Sequence, residues 1–258
     1  MLTLHRLRDA LVALSLAGGT LGATGCPAPA ESYETGGGTS HLTARIVTAG
    51  ASATTGAVSL GLASGRDGTL FVPSNYRPGV PMPLLLALHG AGQAASEMLS
   101  ILQGQAEQNG FLLLAVDSRD ATWDGIRGSF GPDVSYINRA LQFAFDRYNV
   151  QVNHIGVAGF SDGASYALTI GLTNGDLFSR VIAFSPGFIP ASDSPAAGKP
   201  PFFISHGRQD QILSYDNTAG GIVPNLQARG YAVTFAPFDG RHTVTAATAA
   251  AAAAWFAQ

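Results

Sequence analysis

The chain has 258 residues, is 46% hydrophobic and 12% charged, and carries a net charge of −3. A chain of this size can bury one large core as a single unit. With a single lysine, Lys199, and no basic stripe, it is without the electrostatic footprint of a nucleic-acid binder.

Residues 1–25 read as an export signal. Arg6 and Arg8 precede an apolar stretch, residues 10–21, which Gly18 and Gly19 interrupt and which is too short to span a bilayer as a mature helix. Leu21-Gly22-Ala23-Thr24-Gly25-Cys26 resembles a bacterial lipoprotein processing site, with alanine where a larger aliphatic residue is usual three positions before the cysteine. Processing there would leave Cys26 for acylation and membrane anchoring, whereas cleavage after Ala28-Pro29-Ala30 would discard it. Cys26 is the sole cysteine, so no disulfide can form. Residues 26–42, rich in Pro, Gly, Ser and Thr, read as a flexible linker. One folded domain is expected over residues 43–258.

Within that domain β-like runs alternate with helical patterns. Strands are expected at residues 69–73, 83–88, 111–116, 154–158, 180–184, 201–205 and 231–236, and helices at 95–109, 134–148, 161–172, 217–229 and 243–256. Such alternation predicts an α/β fold with a mostly parallel sheet covered on both faces. Leu84-Leu85-Leu86-Ala87-Leu88 has no polar face, as fits a strand buried on both sides. The alanine run at residues 246–254 favours a covering helix, with Trp255 and Phe256 as its buried end. No internal repeat is present.

One pentapeptide stands out. Gly159-Phe160-Ser161-Asp162-Gly163 follows the apolar run 154–158 and precedes the helical stretch, the strand, turn, helix context in which G-x-S-x-G forms a nucleophile elbow. Side chains two residues either side of the serine would collide with the neighbouring strand and helix, which accounts for both glycines. In folds built around such an elbow the acid follows the serine and the histidine comes last. Of the six histidines only His206 and His242 follow Ser161, and His206 opens the turn that would carry the acid, so His242 takes the base role. The acids in the interval are Asp162, Asp176, Asp193, Asp210, Asp216 and Asp239. Asp210 follows an apolar strand by a short turn, which places it at the carboxyl edge of the sheet beside Ser161. Asp216 suits a helix N-cap better, and Asp239 is too near His242 in sequence to reach the far side of its ring. Ser161 would attack a carbonyl as His242 removes its proton, with Asp210 holding the imidazole tautomer. The charge on the attacked oxygen needs fixed donors, expected to be the backbone N–H of Asp162 at a helix N-terminus and that of Ala91 in His89-Gly90-Ala91-Gly92. His89 is expected to tie its loop together, and His206 to pack or shape its turn.

Taken in order, Leu88-His89-Gly90-Ala91-Gly92, Gly159-Phe160-Ser161-Asp162-Gly163, Ser205-His206-Gly207-Arg208-Gln209-Asp210 and Phe238-Asp239-Gly240-Arg241-His242 resemble the phospholipase/carboxylesterase group of α/β-hydrolases, which includes acyl-protein thioesterases. The resemblance covers about residues 65–258. It implies an α/β-hydrolase fold and a serine esterase that needs neither cofactor nor metal and acts on carboxylic or thio esters. Asp162 stands where thioesterases usually carry glutamine, and Arg241 where many relatives have glycine, so their substrate preference does not transfer.

Three loops at the catalytic edge are expected to shape the pocket through Trp123 in residues 118–132, Phe188 in 186–200 and Ile212 in 211–215. The short interval between Ser161 and Asp210 leaves no space for a cap domain, which predicts an open cleft for short or accessible acyl or aryl esters. A polyester depolymerase or feruloyl esterase is the alternative, and the substrate is a small or polymeric ester. A silent binding protein on the same scaffold would require a broken triad, and every member is present. The same three residues also serve peptidases. Nothing in the sequence fixes the oligomeric state.

Overall fold

A computed structural model describes residues 39–258. The expected signal segment, Cys26 and most of the linker lie outside these residues. The described chain forms an eight-stranded sheet with elements in the order β1 (Gly56–Ser59), β2 (Gly68–Val72), β3 (Met82–Leu88), α1 (Ala95–Asn109), β4 (Leu112–Val116), α2 (Pro132–Arg147), β5 (Val150–Phe160), α3 (Asp162–Thr173), β6 (Arg180–Phe184), β7 (Phe202–Gly207), α4 (Val223–Ala228), β8 (Val233–Phe238) and α5 (Ala246–Phe256).

Across the sheet the strand order is β1-β2-β4-β3-β5-β6-β7-β8. The first two pairings, β1 with β2 and β2 with β4, are antiparallel, and all others are parallel. After β3 the chain steps to one side to form β4 and then crosses to the other side for β5. That reversal opens a crevice beyond the carboxyl ends of β3 and β5, the place where open α/β sheets bind ligands.

Alternation along the strands explains the two layers. Leu84, Leu86 and Leu88 of β3 pack with buried residues of α2, α3 and α4 on one face. Leu85 and Ala87 turn to the other face, onto Met98 and Leu102 of α1 and Ala252 and Phe256 of α5. Both faces are covered, so the parallel strands have no polar side. Pro83 is tolerated in a central strand because the β3–β5 register shifts between Met82 and Leu84. Pro237 sits in β8, the edge strand, where its missing N–H breaks no inner ladder.

Packing begins earlier than residue 43. Ser40 and Leu42 are buried, and the side-chain amide of Asn174, just past α3, pairs with both by accepting from Leu42 N (2.6 Å) and donating to Ser40 O (2.8 Å). Burying Leu42 contributes about 1.5–3 kcal/mol, so residues 40–42, expected as linker, belong to the packed chain. The strand β1 was not anticipated. The stretch 217–229, expected as one helix, is a π-helical turn over Asn217–Ile222 followed by the short α4. Asp216 precedes that turn without a capping side-chain bond. The last helix starts at Ala246, not Thr243, because Thr245 caps it by accepting from Thr248 N (3.1 Å).

Candidate active site

The turn between β5 and α3 holds Ser161 at φ 57°, ψ −119°, a left-handed conformation that non-glycine residues rarely adopt. Such strain costs on the order of 1–3 kcal/mol and persists only where the surroundings over-determine it. Here they do. Ser161 N donates to Phe184 O of β6 (2.9 Å), and Ser161 O accepts from Ala164 N and Ser165 N (3.0 Å each). Both flanking glycines are sterically required. A Cβ on Gly159 would lie 2.1 Å from Gly163 O, and one on Gly163 would lie 2.3 Å from Leu88 O.

The structure brings Ser161, His242 and Asp210 together. His242 Nε2 is 2.9 Å from Ser161 Oγ, and His242 Nδ1 is 2.6 Å from Asp210 Oδ2. The carboxylate can only accept, so Nδ1 carries the proton and Nε2 presents a lone pair to the hydroxyl. The loop bearing His242 is held against the end of β7 by Arg208 N donating to Phe238 O and Gln209 N to Gly240 O (2.9 Å each). It lies so close that a Cβ on Gly207 would sit 2.4 Å from Gly240 O. The ring of Phe160 lies beside the imidazole, centroids 4.9 Å apart.

The Asp210 side chain is fully buried. Its Oδ1 accepts from Ile212 N (2.9 Å) and Leu213 N (3.0 Å), while Oδ2 takes His242 and also lies 3.0 Å from His206 Nε2. Burial alone would raise the carboxyl pKa, but the hydrogen bonds from His242, Leu213 and Ile212 outweigh it and lower the value below the ordinary aspartate range. Asp239 does not reach the imidazole; its carboxylate is exposed and faces Arg208 Nε at 3.6 Å.

At the opposite wall the backbone N–H groups of Ala91 and Asp162 take no acceptor from the described residues. The first belongs to the loop after β3, where a Cβ on Gly90 would come 3.2 Å from Ser161 Cβ. The second opens α3, whose N-terminal partial charge favours an anion. His89 ties the β3 loop down. Its Nδ1 donates to Gly90 O (2.7 Å), leaving Nε2 to accept from Ser118 N (2.9 Å) and Arg66 Nη2 (3.0 Å). Burial lowers its pKa, in keeping with a neutral ring.

The pocket residues divide. Trp123 is corrected: it is fully buried, its indole N–H donating to His89 O (2.8 Å) and its ring stacking on Tyr166 with centroids 5.2 Å apart. Neighbours in the same loop brace the same wall. Ala121 O accepts from Gly92 N (2.7 Å), and Thr122 Oγ1 donates to Asp162 Oδ2 (2.6 Å). Sequence patterns had not singled out Thr122, Arg66 or Gln93, whose Oε1 accepts from Gly90 N (2.9 Å). Phe188 and Ile212, by contrast, are 45% and 70% exposed. Their loops touch, since a Cβ on Gly187 would lie 2.9 Å from the side chain of Leu213.

Comparison with known proteins agrees with this architecture. Residues 134–245 match the family described as Phospholipase/Carboxylesterase. Over 186 residues the chain is 27% identical to "Putative esterase NocK" of Nocardia uniformis subsp. tsuyamanensis, covering 67% of this chain and 48% of that one, so it spans about half the length of that relative. The fold is similar to that of S-formylglutathione hydrolase FrmB from Staphylococcus aureus, with TM-score 0.62 and 15% identity over 82% of this chain and 100% of that one. Esterase PE8 gives TM-score 0.59 and 18% identity over 73% and 96% of the two chains. A ferulic acid esterase from Anaeromyces mucronatus gives TM-score 0.55 and 18% identity over 76% and 87%. The chain has the α/β-hydrolase fold, and across residues 134–245 it is similar to the phospholipase/carboxylesterase family.

Proposed function

We propose that the protein is a serine hydrolase of carboxylic esters that works through an acyl-enzyme on Ser161. The observation that carries this reading is the continuous hydrogen-bonded line from Asp210 through His242 to Ser161, set beside two N–H groups with no acceptor among the described residues. His242 Nε2 takes the hydroxyl proton as Ser161 Oγ bonds to the ester carbonyl carbon. The oxyanion that forms is received by Ala91 N–H and Asp162 N–H. The same imidazole returns the proton to the departing alcohol, and water repeats the sequence to release the acid. Asp210 stays ionised and opposes the charge on His242.

Among the described residues no cap covers the sheet edge, and Phe188 and Ile212 stand exposed beside it. This favours short acyl or aryl esters presented in an open cleft. The exposed pair also supports a second reading, hydrolysis of feruloyl esters or polyesters, in which an aromatic or polymeric group lies across the rim. A fluorophosphonate probe tests the mechanism: wild-type protein labels, and Ser161→Ala loses both labelling and hydrolysis of p-nitrophenyl acetate by at least about 10⁴-fold. A folded wild type that resists the probe overturns it. Rates rising steadily from acetate to palmitate esters would refute the open cleft, and assays on polyester films and feruloylated sugars separate the two readings.

Export with acylation at Cys26 is proposed from Arg6, Arg8, the apolar stretch after them and the residues before the cysteine. Palmitate incorporation that persists in Cys26→Ser refutes it.

A further inference from the structure

The geometry points to His206 as a positioning residue for the triad, one whose buried imidazole nitrogen, 3.0 Å from the oxygen that already binds His242, holds Asp210 in place. This rests on the serine-hydrolase reading above. His206 is the penultimate residue of β7 and is fully buried. Its Nε2 lies 2.9 Å from Leu213 O and 3.0 Å from Asp210 Oδ2. Both neighbours are acceptors without a hydrogen, so Nε2 carries a proton; its N–H is directed at Leu213 O, with Asp210 Oδ2 in close contact beside it. On the other side, the Thr218 hydroxyl lies 2.9 Å from Nδ1 and 3.0 Å from Pro186 O.

Burial lowers the His206 pKa, which favours a neutral ring. The single hydroxyl hydrogen of Thr218 can go to Pro186 O or to Nδ1, so the π-helical turn that carries Thr218 packs against the Nδ1 side of the ring while the Nε2 side faces the carboxylate. The charged groups acting on the ring are Asp210 and His242. Arg208 turns outward to the Tyr215 hydroxyl (3.0 Å) and Asp239 (3.6 Å). A histidine that merely filled space would need no such pairing, whereas a carboxylate that must aim one oxygen at Nδ1 of the base gains from a donor that stops it rotating.

Phenylalanine keeps the ring volume without the N–H, and glutamine places an amide N–H near the position of Nε2. The assay is hydrolysis of p-nitrophenyl acetate by the full chain, with rates expressed per active site titrated by a fluorophosphonate and Tm measured in parallel. His206→Phe is expected to lower kcat about tenfold with KM within about twofold. His206→Gln should recover most of that loss, and Thr218→Val should lower kcat about threefold. A folded His206→Phe with wild-type kcat overturns the inference, as does a glutamine variant as slow as the phenylalanine one. If His206→Phe does not fold, a wild-type kcat in Thr218→Val overturns it. A wild-type chain that neither labels nor hydrolyses overturns the serine-hydrolase reading, and this inference with it.

Discussion

The loop after β4 and the loops after β6 and β7 border the same sheet edge and carry similar aromatic and aliphatic side chains, yet only the latter face solvent. Trp123 and Phe130 are 0% and 4% exposed, against 45% for Phe188 and 70% for Ile212. The difference lies in the polar residues. Asp124 and Asp133, both buried, cap each other's segment: Asp124 Oδ2 accepts from Gly131 N and Asp133 N (2.8 Å each), and Asp133 accepts from Asp124 N (2.6 Å) and Arg119 N (2.5 Å). Tyr166 of α3 donates to Asp124 (2.9 Å) and receives the rings of Trp123 and Phe130. Carboxylates that satisfy the loop's own N–H groups let it fold inward, where it braces the oxyanion wall. The loop after β7 has a single buried carboxylate, Asp210, which accepts from Ile212 N and Leu213 N but serves the imidazole as well, rather than an interlocked pair, and the apolar side chains of the loops after β6 and β7 stay at the rim.

The comparison can be broken most directly at Trp123. Trp123→Ala is expected to cost about 3–5 kcal/mol in urea denaturation, as for a large buried aromatic, and to reduce ester hydrolysis because His89 O loses its donor. A loss below about 1 kcal/mol would place Trp123 with the rim residues.

A pH test sharpens the role of the carboxylates. Burial first, and the Asp124 charge second, push the Asp133 pKa from 3.8 up to about 6. The folded chain thus holds this proton more tightly than the unfolded one. The resulting stabilisation is complete below about pH 4 and is lost as pH rises through about 6, an effect of about 2–3 kcal/mol. The stability difference between wild type and Asp133→Asn should therefore shrink across that interval; a difference independent of pH contradicts it. Asp210, whose pKa is lowered, acts in the opposite sense in both proteins and drops out of the difference.

The smallest effects belong to the rim. Phe188→Ala and Ile212→Ala should change stability by no more than about 0.5 kcal/mol while raising KM for an aryl ester a few-fold. Unchanged KM in both variants would remove them from substrate contact.

Much of this arrangement is legible in the sequence because local signals and global fold agree. The spans of α1 and β6 follow directly from apolar pattern and flanking breakers, and the four motif segments converge because each lies at the carboxyl end of a strand. Where sequence and structure differ, the causes are physical. The strand β1 is a four-residue edge with half its side chains exposed, too short for a period of two to register. Gly220, Gly221 and Pro224 interrupt the stretch read as one helix. By type and place in a loop Trp123 reads as a rim residue, and only the positions of His89 and Tyr166 reveal that it faces inward. The contact of His206 with Asp210 arises from the curl of the β7 turn, which residue spacing does not encode.

The clamp that Asn174 places on Ser40 and Leu42 has a mechanical consequence. Helix α3 spans 12 residues, about 18 Å, with Ser161 at its head and Asn174 at its tail. Whatever pulls on the polypeptide ahead of residue 39 is received at the tail, and the strained serine at the head is insulated from that tension by three turns of buried helix.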